Sequence, residues 1–445
     1  MNPQTQSGNG VTAKGLLYVC LVVVITSTVL RRLLFLDFGY YVRENETSAS
    51  PGRNYYAGGA SETTPAGGPG RNGHLTMGGS SYEYHPSRME SYVMKHGRDE
   101  AWGYDTAAEG LKNVESIPSG CSLFTSQNVS SAGFRRSAEG LRSGLEAYKA
   151  LEDAWVWEPP PNATTGADTD TAPETTKTMD LRDHLDADGT NRDAVCDRLE
   201  VGEGGLAGVF GDTAGDILSK MTSSDGRDIS MEPLLPPLRH PEFCFSRKYI
   251  ANQGYLVHDF AGLCRERIHK HSKTVFIDLG ASLSFHGPKT TPPVLQLIEL
   301  YERFGFVFDH IYGYEIKQQD PGVVYEAIPT KWKAAYHWFN VGVEIDATSD
   351  KNPWNLLLEG GRFGPDDFVV VKLDVDTSHI ENPIAHQMLN DTRIAELVDV
   401  FYYEHHVGVK EMAKHWKSSM HGSMMDSLEF FRRMRDLGIA SHYWI

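Results

Sequence analysis

Lys372, Asp374 and Asp376 stand at alternate positions where the apolar run Phe368–Leu373 gives way to Asp374-Val375-Asp376. In a strand, alternate side chains share one face, so three ionisable groups would project together from a segment otherwise built of Val, Leu and Phe. Burying such groups unpaired is costly, so they must pair, hold a metal or open onto a cleft. An ion pair between Lys372 and Asp374 is the purely structural account. The chemical account lets Asp374 and Asp376, spaced as D-x-D, hold a divalent metal against a nucleotide diphosphate.

Other apolar runs stop in the same manner. K-T-V-F-I-D-L-G-A-S ends on Asp278-Leu279-Gly280 with Ala281 and Ser282, a carboxylate followed by a glycine that lets a ligand approach the backbone. H-I-Y-G-Y-E-I places Glu315 where an acid can accept both hydroxyls of a ribose. Asp346 follows a further run and could face an adenine amine. D-V-F-Y-Y-E-H-H stops on Glu404, His405 and His406, which offer a general base or a metal ligand. Each has a plainer account: a turn glycine, a solvated carboxylate, a packing histidine.

The elements that must position these residues are short β-branched and aromatic runs without polar alternation, which read as strands buried on both faces. Strands are expected at 274–279, 310–316, 339–345, 368–373, 398–403 and 439–444. Helical patterns fall at 254–271, from Pro292 and Pro293 to 304, broken over 320–337, then at 354–359, 384–397 and 423–437. The alternation predicts an open, mostly parallel α/β sheet with covering helices, in which ligands sit at the carboxyl ends of the strands. The run-ending residues should therefore converge on one crevice.

Upstream the composition changes. Residues 1–14 form a short tail, and Leu16 to Leu30 is apolar or hydroxyl-bearing, about 22 Å as a helix. Adding Leu33 to Leu36, with Arg31 and Arg32 snorkelling, lets 15–36 span a membrane of roughly 30 Å as a retained signal anchor. Residues 44–237 are rich in Gly, Ser, Thr, Pro and acids and read as a largely disordered stalk. Two islands stand out within it: 137–157, with Leu141, Leu145, Tyr148, Leu151 and Trp155 at helical spacing, and 206–221. Only 240–445 looks able to bury a full core. A net charge of −17 excludes a nucleic-acid backbone as partner. Sequons at Asn45, Asn128, Asn162 and Asn390 fit a single-pass membrane protein of the Golgi or ER with a lumenal C-terminal domain. Cys121, Cys196, Cys244 and Cys264 allow two disulfides in three pairings, or thiols in the cytosol.

Taken in order, D-x-G-A (Asp278, Gly280, Ala281), Glu315, K-x-D-x-acid (Lys372, Asp374, Asp376) and the pair Glu404-His405 resemble the class I S-adenosylmethionine-dependent methyltransferases of the FkbM-like family. The resemblance covers Thr274 to Trp444. It implies a Rossmann-like sheet of seven strands with a reversed last hairpin. It also implies that the methionine part of the cofactor lies over Asp278 to Ser282, its ribose near Glu315 and its adenine near Asp346. The expected activity is methyl transfer from S-adenosylmethionine to a hydroxyl of a glycan or small molecule at a membrane, with His405 or Asp374 as base and Lys372 as orienting partner. Two other classes compete: a Golgi-type glycosyltransferase using Asp374 and Asp376 for a metal, and a membrane-tethered protein that keeps the sheet without the chemistry.

Overall fold

The computed structural model describes residues 82–99, 101–105, 116–125, 132–156, 179–235, 241–244, 246, 252–283 and 291–444. The chain divides into two units, Met1–Asn72 and Gly73–Ile445, and every described residue belongs to the second. The expected tail, the anchor at 15–36 and the sequons at Asn45, Asn128 and Asn162 lie outside the described residues. Among the described residues no helix is long and apolar enough to cross a membrane.

Much of the stretch expected as stalk is folded. Strands β1 (Tyr82–His85), β2 (Ser219–Ser223) and β3 (Asp228–Met231) form an antiparallel sheet in that order. Helix α1 (Arg88–Gly97) starts at Ser87, whose side chain accepts the Glu90 amide, and α2 (Ala132–Ala154) buries Leu141, Leu145 and Tyr148, as their spacing foretold. Trp102, Met221 and Leu234 join the same core as the C-terminal sheet. The stalk reading of 44–237 fails for these stretches because composition underrates what holds them. Charge pairs, short apolar clusters and disulfides replace long apolar faces. The bonds are Cys121–Cys244 and Cys196–Cys264.

One buried network joins this layer to the end of the chain. Arg435, fully buried, donates to the carbonyls of Glu232 (3.0 Å) and Ser441 (2.9 Å) and to Tyr84 Oη (3.1 Å). Glu90, also fully buried, accepts from Tyr84, from Ser219 at 2.7 Å and from the Leu234 amide at 2.9 Å. Each charge is thus hydrogen-bonded, the condition under which burial is tolerated.

The large sheet has six strands, β4 (Thr274–Leu279), β5 (His310–Tyr314), β6 (Tyr336–Phe339), β7 (Phe368–Leu373), β8 (Val400–Tyr403) and β9 (Ala440–Tyr443). Their order is β6-β5-β4-β7-β8-β9 and every pairing is parallel. Five strands fall within a residue or two of expectation. The third does not: the aromatic run at 336–339 pairs with β5, while the alternating residues 341–345, with Gly342 among them, lie beyond the strand. The last strand runs parallel to β8 instead of closing a reversed hairpin, and among the described residues there is no seventh strand in this sheet.

Helices α3 (Phe260–Arg267), α4 (Pro293–Arg303), α5 (Pro321–Ala327), α6 (Ser378–Asn390) and α7 (Met424–Asp436) precede or connect these strands. Helix α6 begins six residues before the expected Ile384 and takes Pro383 inside it. Register places Gly313, Asp278, Lys372, Tyr402 and His442 in one row across the sheet, hence on one face. On that face Tyr301 of α4 bonds Tyr402 at 2.9 Å, and Phe260 of α3 meets Tyr301 edge-on. On the other, Tyr403 packs against Phe430 and Phe431 of α7 and donates to Asn382 of α6. Helices therefore cover both faces, which leaves the carboxyl ends of the strands as the open edge.

Candidate functional site

Strands β4 and β7 are the neighbours at which chain order reverses, with β5 and β6 to one side and β8 and β9 to the other. Ligands of open parallel sheets bind outside the carboxyl ends at such a point. Asp278 and Lys372 sit opposite each other there. The buried Lys372 Nζ lies 3.1 Å from Asp278 Oδ1 and 3.2 Å from Asp374 Oδ2, and donates to the Gly280 carbonyl at 3.1 Å. Trp444, just past β9, donates its indole N–H to Asp374 Oδ2 at 3.1 Å. The expected Lys372–Asp374 pair is thus a triad, and Asp278 Oδ2 is buried without a hydrogen-bond partner among the described residues.

Charge in this triad is set by burial and neighbours. Burial pushes Lys372 down, but Asp278 and Asp374 outweigh it and the ammonium holds its proton more tightly than usual. Burial pushes Asp278 up, with Lys372 opposing. Asp374 is also pushed up, by burial first, against Lys372 and with Glu404, Asp376 and Glu381 adding to the rise. A fifth of its side chain still reaches solvent, which moderates the effect.

The turn after β4 owes its glycine to packing. Gly280 has φ +94°, and a Cβ there would overlap the Asp374 carbonyl. Close approach of the end of β7 therefore demands glycine whether or not a ligand does. Ala281 is buried and its amide donates to the Tyr314 carbonyl at 2.8 Å; the half-buried Ser282 donates its amide to the Gly280 carbonyl at 2.9 Å. The continuation of this turn, 284–290, lies outside the described residues.

Glu315 follows β5 directly, half-buried, with Oε1 accepting the Lys317 amide at 2.7 Å. Beside it Ile316 is 74% exposed. Asn340, the residue after β6, donates to the carbonyls of Glu315 and Lys317, both at 2.8 Å, and so steadies this corner. Asp346 lies exposed on the loop after β6, where its carboxylate accepts the Thr348 amide (2.9 Å) and hydroxyl (2.8 Å). Its expected place depended on a strand running to Ile345, and β6 stops at Phe339.

His405 is also kept from the triad. It stacks on Tyr403 at 4.8 Å and meets the edge of Phe430 at 5.7 Å, on the face opposite Lys372. Burial, with His386, His406 and His421 adding, lowers its pKa to about 3, so the ring is neutral and a weak proton acceptor at neutral pH.

His406 takes the position expected of His405. Its Nε2 lies 2.9 Å from Glu404 Oε2, while Trp416 donates to Glu404 Oε1 at 3.1 Å. Ligand atoms of Asp376, Glu404 and His406 all fall within 4.8 Å of one another. The D-x-D pair is thereby split, Asp374 to Lys372 and Trp444, Asp376 to Glu404 and His406. Asp376 is exposed and has φ +56°, a left-handed conformation uncommon for a residue with a side chain. Glu381, in the first turn of α6, interacts electrostatically with all three. It is fully buried, its Oε1 accepts the Val375 amide at 2.8 Å, and its Oε2 has no hydrogen-bond partner among the described residues. Burial raises its pKa to about 7, against His406 and the Val375 amide. Strand parity was the signal available for Glu404 and His406, because alternate residues share a face; for Glu381 it was an acid opening the helix after D-x-D.

Asp278, Asp374, Asp376, Glu381 and Glu404 thus converge around Lys372 and His406. Such a site attracts a cation. A separate cavity of about 520 Å³ is lined by Asp197, Glu200, Arg227, Asp259 and Arg265 among others. Arg265 pairs there with Asp197 and Glu200, and none of the lining residues comes from the large sheet. Comparison with protein-family models, curated proteins and solved structures finds no match to this chain.

Proposed function

We propose that the chain is an S-adenosylmethionine-dependent methyltransferase acting on a hydroxyl of a glycan or small molecule at a membrane. The observation that carries this reading is the surplus of carboxylates at the point where strand order reverses: a donor bearing a sulfonium and an ammonium fits there, whereas an unaccompanied diphosphate is repelled. Glu315 suits a ribose, since only Oε1 is engaged in its own turn, and the exposed Ile316 beside it offers an apolar platform for a base. Asp278, with Oδ2 unsatisfied, suits an N–H or O–H donor.

When bound, the sulfonium supplies a methyl group and keeps the electron pair of the broken C–S bond, while the acceptor oxygen forms the new bond and gives up its proton. Asp374, with raised proton affinity and partial access to solvent, is the base in this reading. Lys372 fixes its carboxylate. His405 is withdrawn from the role. Two disulfides fit the oxidising interior of the secretory pathway, as does the exposed sequon at Asn390.

Calorimetric titration of S-adenosylmethionine into the full chain, without added metal, should give saturable binding that weakens at least tenfold in Glu315→Ala. Absence of binding at millimolar concentration would sink the proposal. A glycosyltransferase is the second reading, favoured by the Asp376, Glu404 and His406 group, and it requires a sugar nucleotide to bind only together with Mn²⁺.

A further inference from the structure

The hydrogen bonds around His406 fix its tautomer. Ser419 Oγ lies 2.6 Å from the Trp416 carbonyl and 2.7 Å from His406 Nδ1. A hydroxyl has one proton, and the carbonyl can only accept, so Ser419 donates to Trp416 and accepts from an N–H at Nδ1. In the neutral ring the lone pair then sits on Nε2 and points at a carboxylate oxygen of Glu404, 2.9 Å away. Two acceptors face each other, and something positive must lie with them: a proton or a metal ion.

Three further features favour the metal. Asp376 brings a second carboxylate within 4.8 Å of the pair. Glu381, fully buried beside them, has an oxygen with no hydrogen-bond partner among the described residues. Both buried donors are also oriented from behind, His406 by Ser419 and Glu404 by Trp416, as metal-ligating side chains commonly are. Asp376 alone is exposed, which gives the group one wet side.

We infer that Asp376, Glu404 and His406 hold a divalent metal ion at the ends of β7 and β8, with the buried Glu381 beside them. One imidazole nitrogen among carboxylates suits Mn²⁺, Fe²⁺ or Zn²⁺ better than Ca²⁺ or Mg²⁺. Resting on the methyl-transfer reading, the open side would take the acceptor hydroxyl and ease loss of its proton, so that Asp374 receives it from a more acidic oxygen.

The test is Mn²⁺ titrated into the full chain, followed by electron paramagnetic resonance of the free ion, for the wild type, Asp376→Asn and His406→Gln. One saturable site per chain is expected, at least tenfold weaker in both variants. Asp376 is exposed, so its replacement should leave the fold intact. The assignment is overturned if the wild type has no saturable site or if either variant binds as the wild type does. S-adenosylmethionine binding to the wild type, titrated in parallel without metal, reports on the methyltransferase reading separately.

Discussion

Lys372 shows how one side chain can be structural and chemical together. Its ammonium neutralises Asp278, which has no other charged partner within ion-pair distance among the described residues. Lys372→Met should therefore destabilise the protein by about 3–5 kcal/mol, the cost of stranding a buried carboxylate, as read by urea denaturation. Gly280→Ala should cost about 2 kcal/mol or more on the same assay, because a positive φ and the Asp374 carbonyl both oppose a Cβ. The side-by-side position of Lys372 and Asp374 was legible from alternation alone. That Asp278 lies near them was expected of a parallel sheet; that it ion-pairs with Lys372 was not, since this depends on register between strands almost a hundred residues apart. The exchange of His405 for His406 is a matter of parity: once Lys372 pairs with Tyr402, Glu404 and His406 follow on its side and His405 turns away.

At the scale of elements, α2 is pinned by its last turns. Glu152, 2% exposed, accepts from Tyr148 at 2.8 Å and from Lys149 at 2.7 Å and lies 3.6 Å from His258. Burial pushes this carboxyl up, but His258 and Lys149 outweigh it and hold the pKa at about 2, against an ordinary 4.5. A depressed acid stabilises the fold above its unfolded pKa. The contribution, on the order of 3 kcal/mol, should therefore be complete above about pH 4.5 and disappear as the pH falls towards 2. Acid titration of stability should show this slope, and Glu152→Gln should remove it. Strands β4 and β7 were readable to the residue because buried parallel strands are uninterrupted apolar runs. The half-buried edge strand β6 was not, because Val341-Gly342-Val343-Glu344-Ile345 imitates a strand better than Tyr336-His337-Trp338-Phe339 does. Helix α6 was started late because a proline usually marks a boundary, and here the helix runs through it.

For the whole molecule, the folded unit reaches far upstream of the residues that carry the strand-end acids. A chain beginning at Pro236 would lose Cys121 and Cys196, the partners of Cys244 and Cys264, together with Glu90, Tyr84 and Glu232 around the buried Arg435. Each bond closes a loop long enough to contribute about 4–5 kcal/mol by chain entropy. Such a chain should give no cooperative thermal transition, whereas one beginning at Gly73 should melt cooperatively; calorimetry separates the two.

The same bonds interleave, since Cys196 lies between Cys121 and Cys244, and Cys264 lies beyond both. On a ribosome that feeds the chain outward from its N-terminus, Cys121 and Cys196 emerge first and are strangers to each other. An oxidant meeting them then would tie the wrong knot, so maturation waits on the arrival of Cys244 and Cys264 or on an isomerase to undo the mistake. Oxidative refolding of the reduced protein should accordingly quicken when a thiol–disulfide isomerase is supplied.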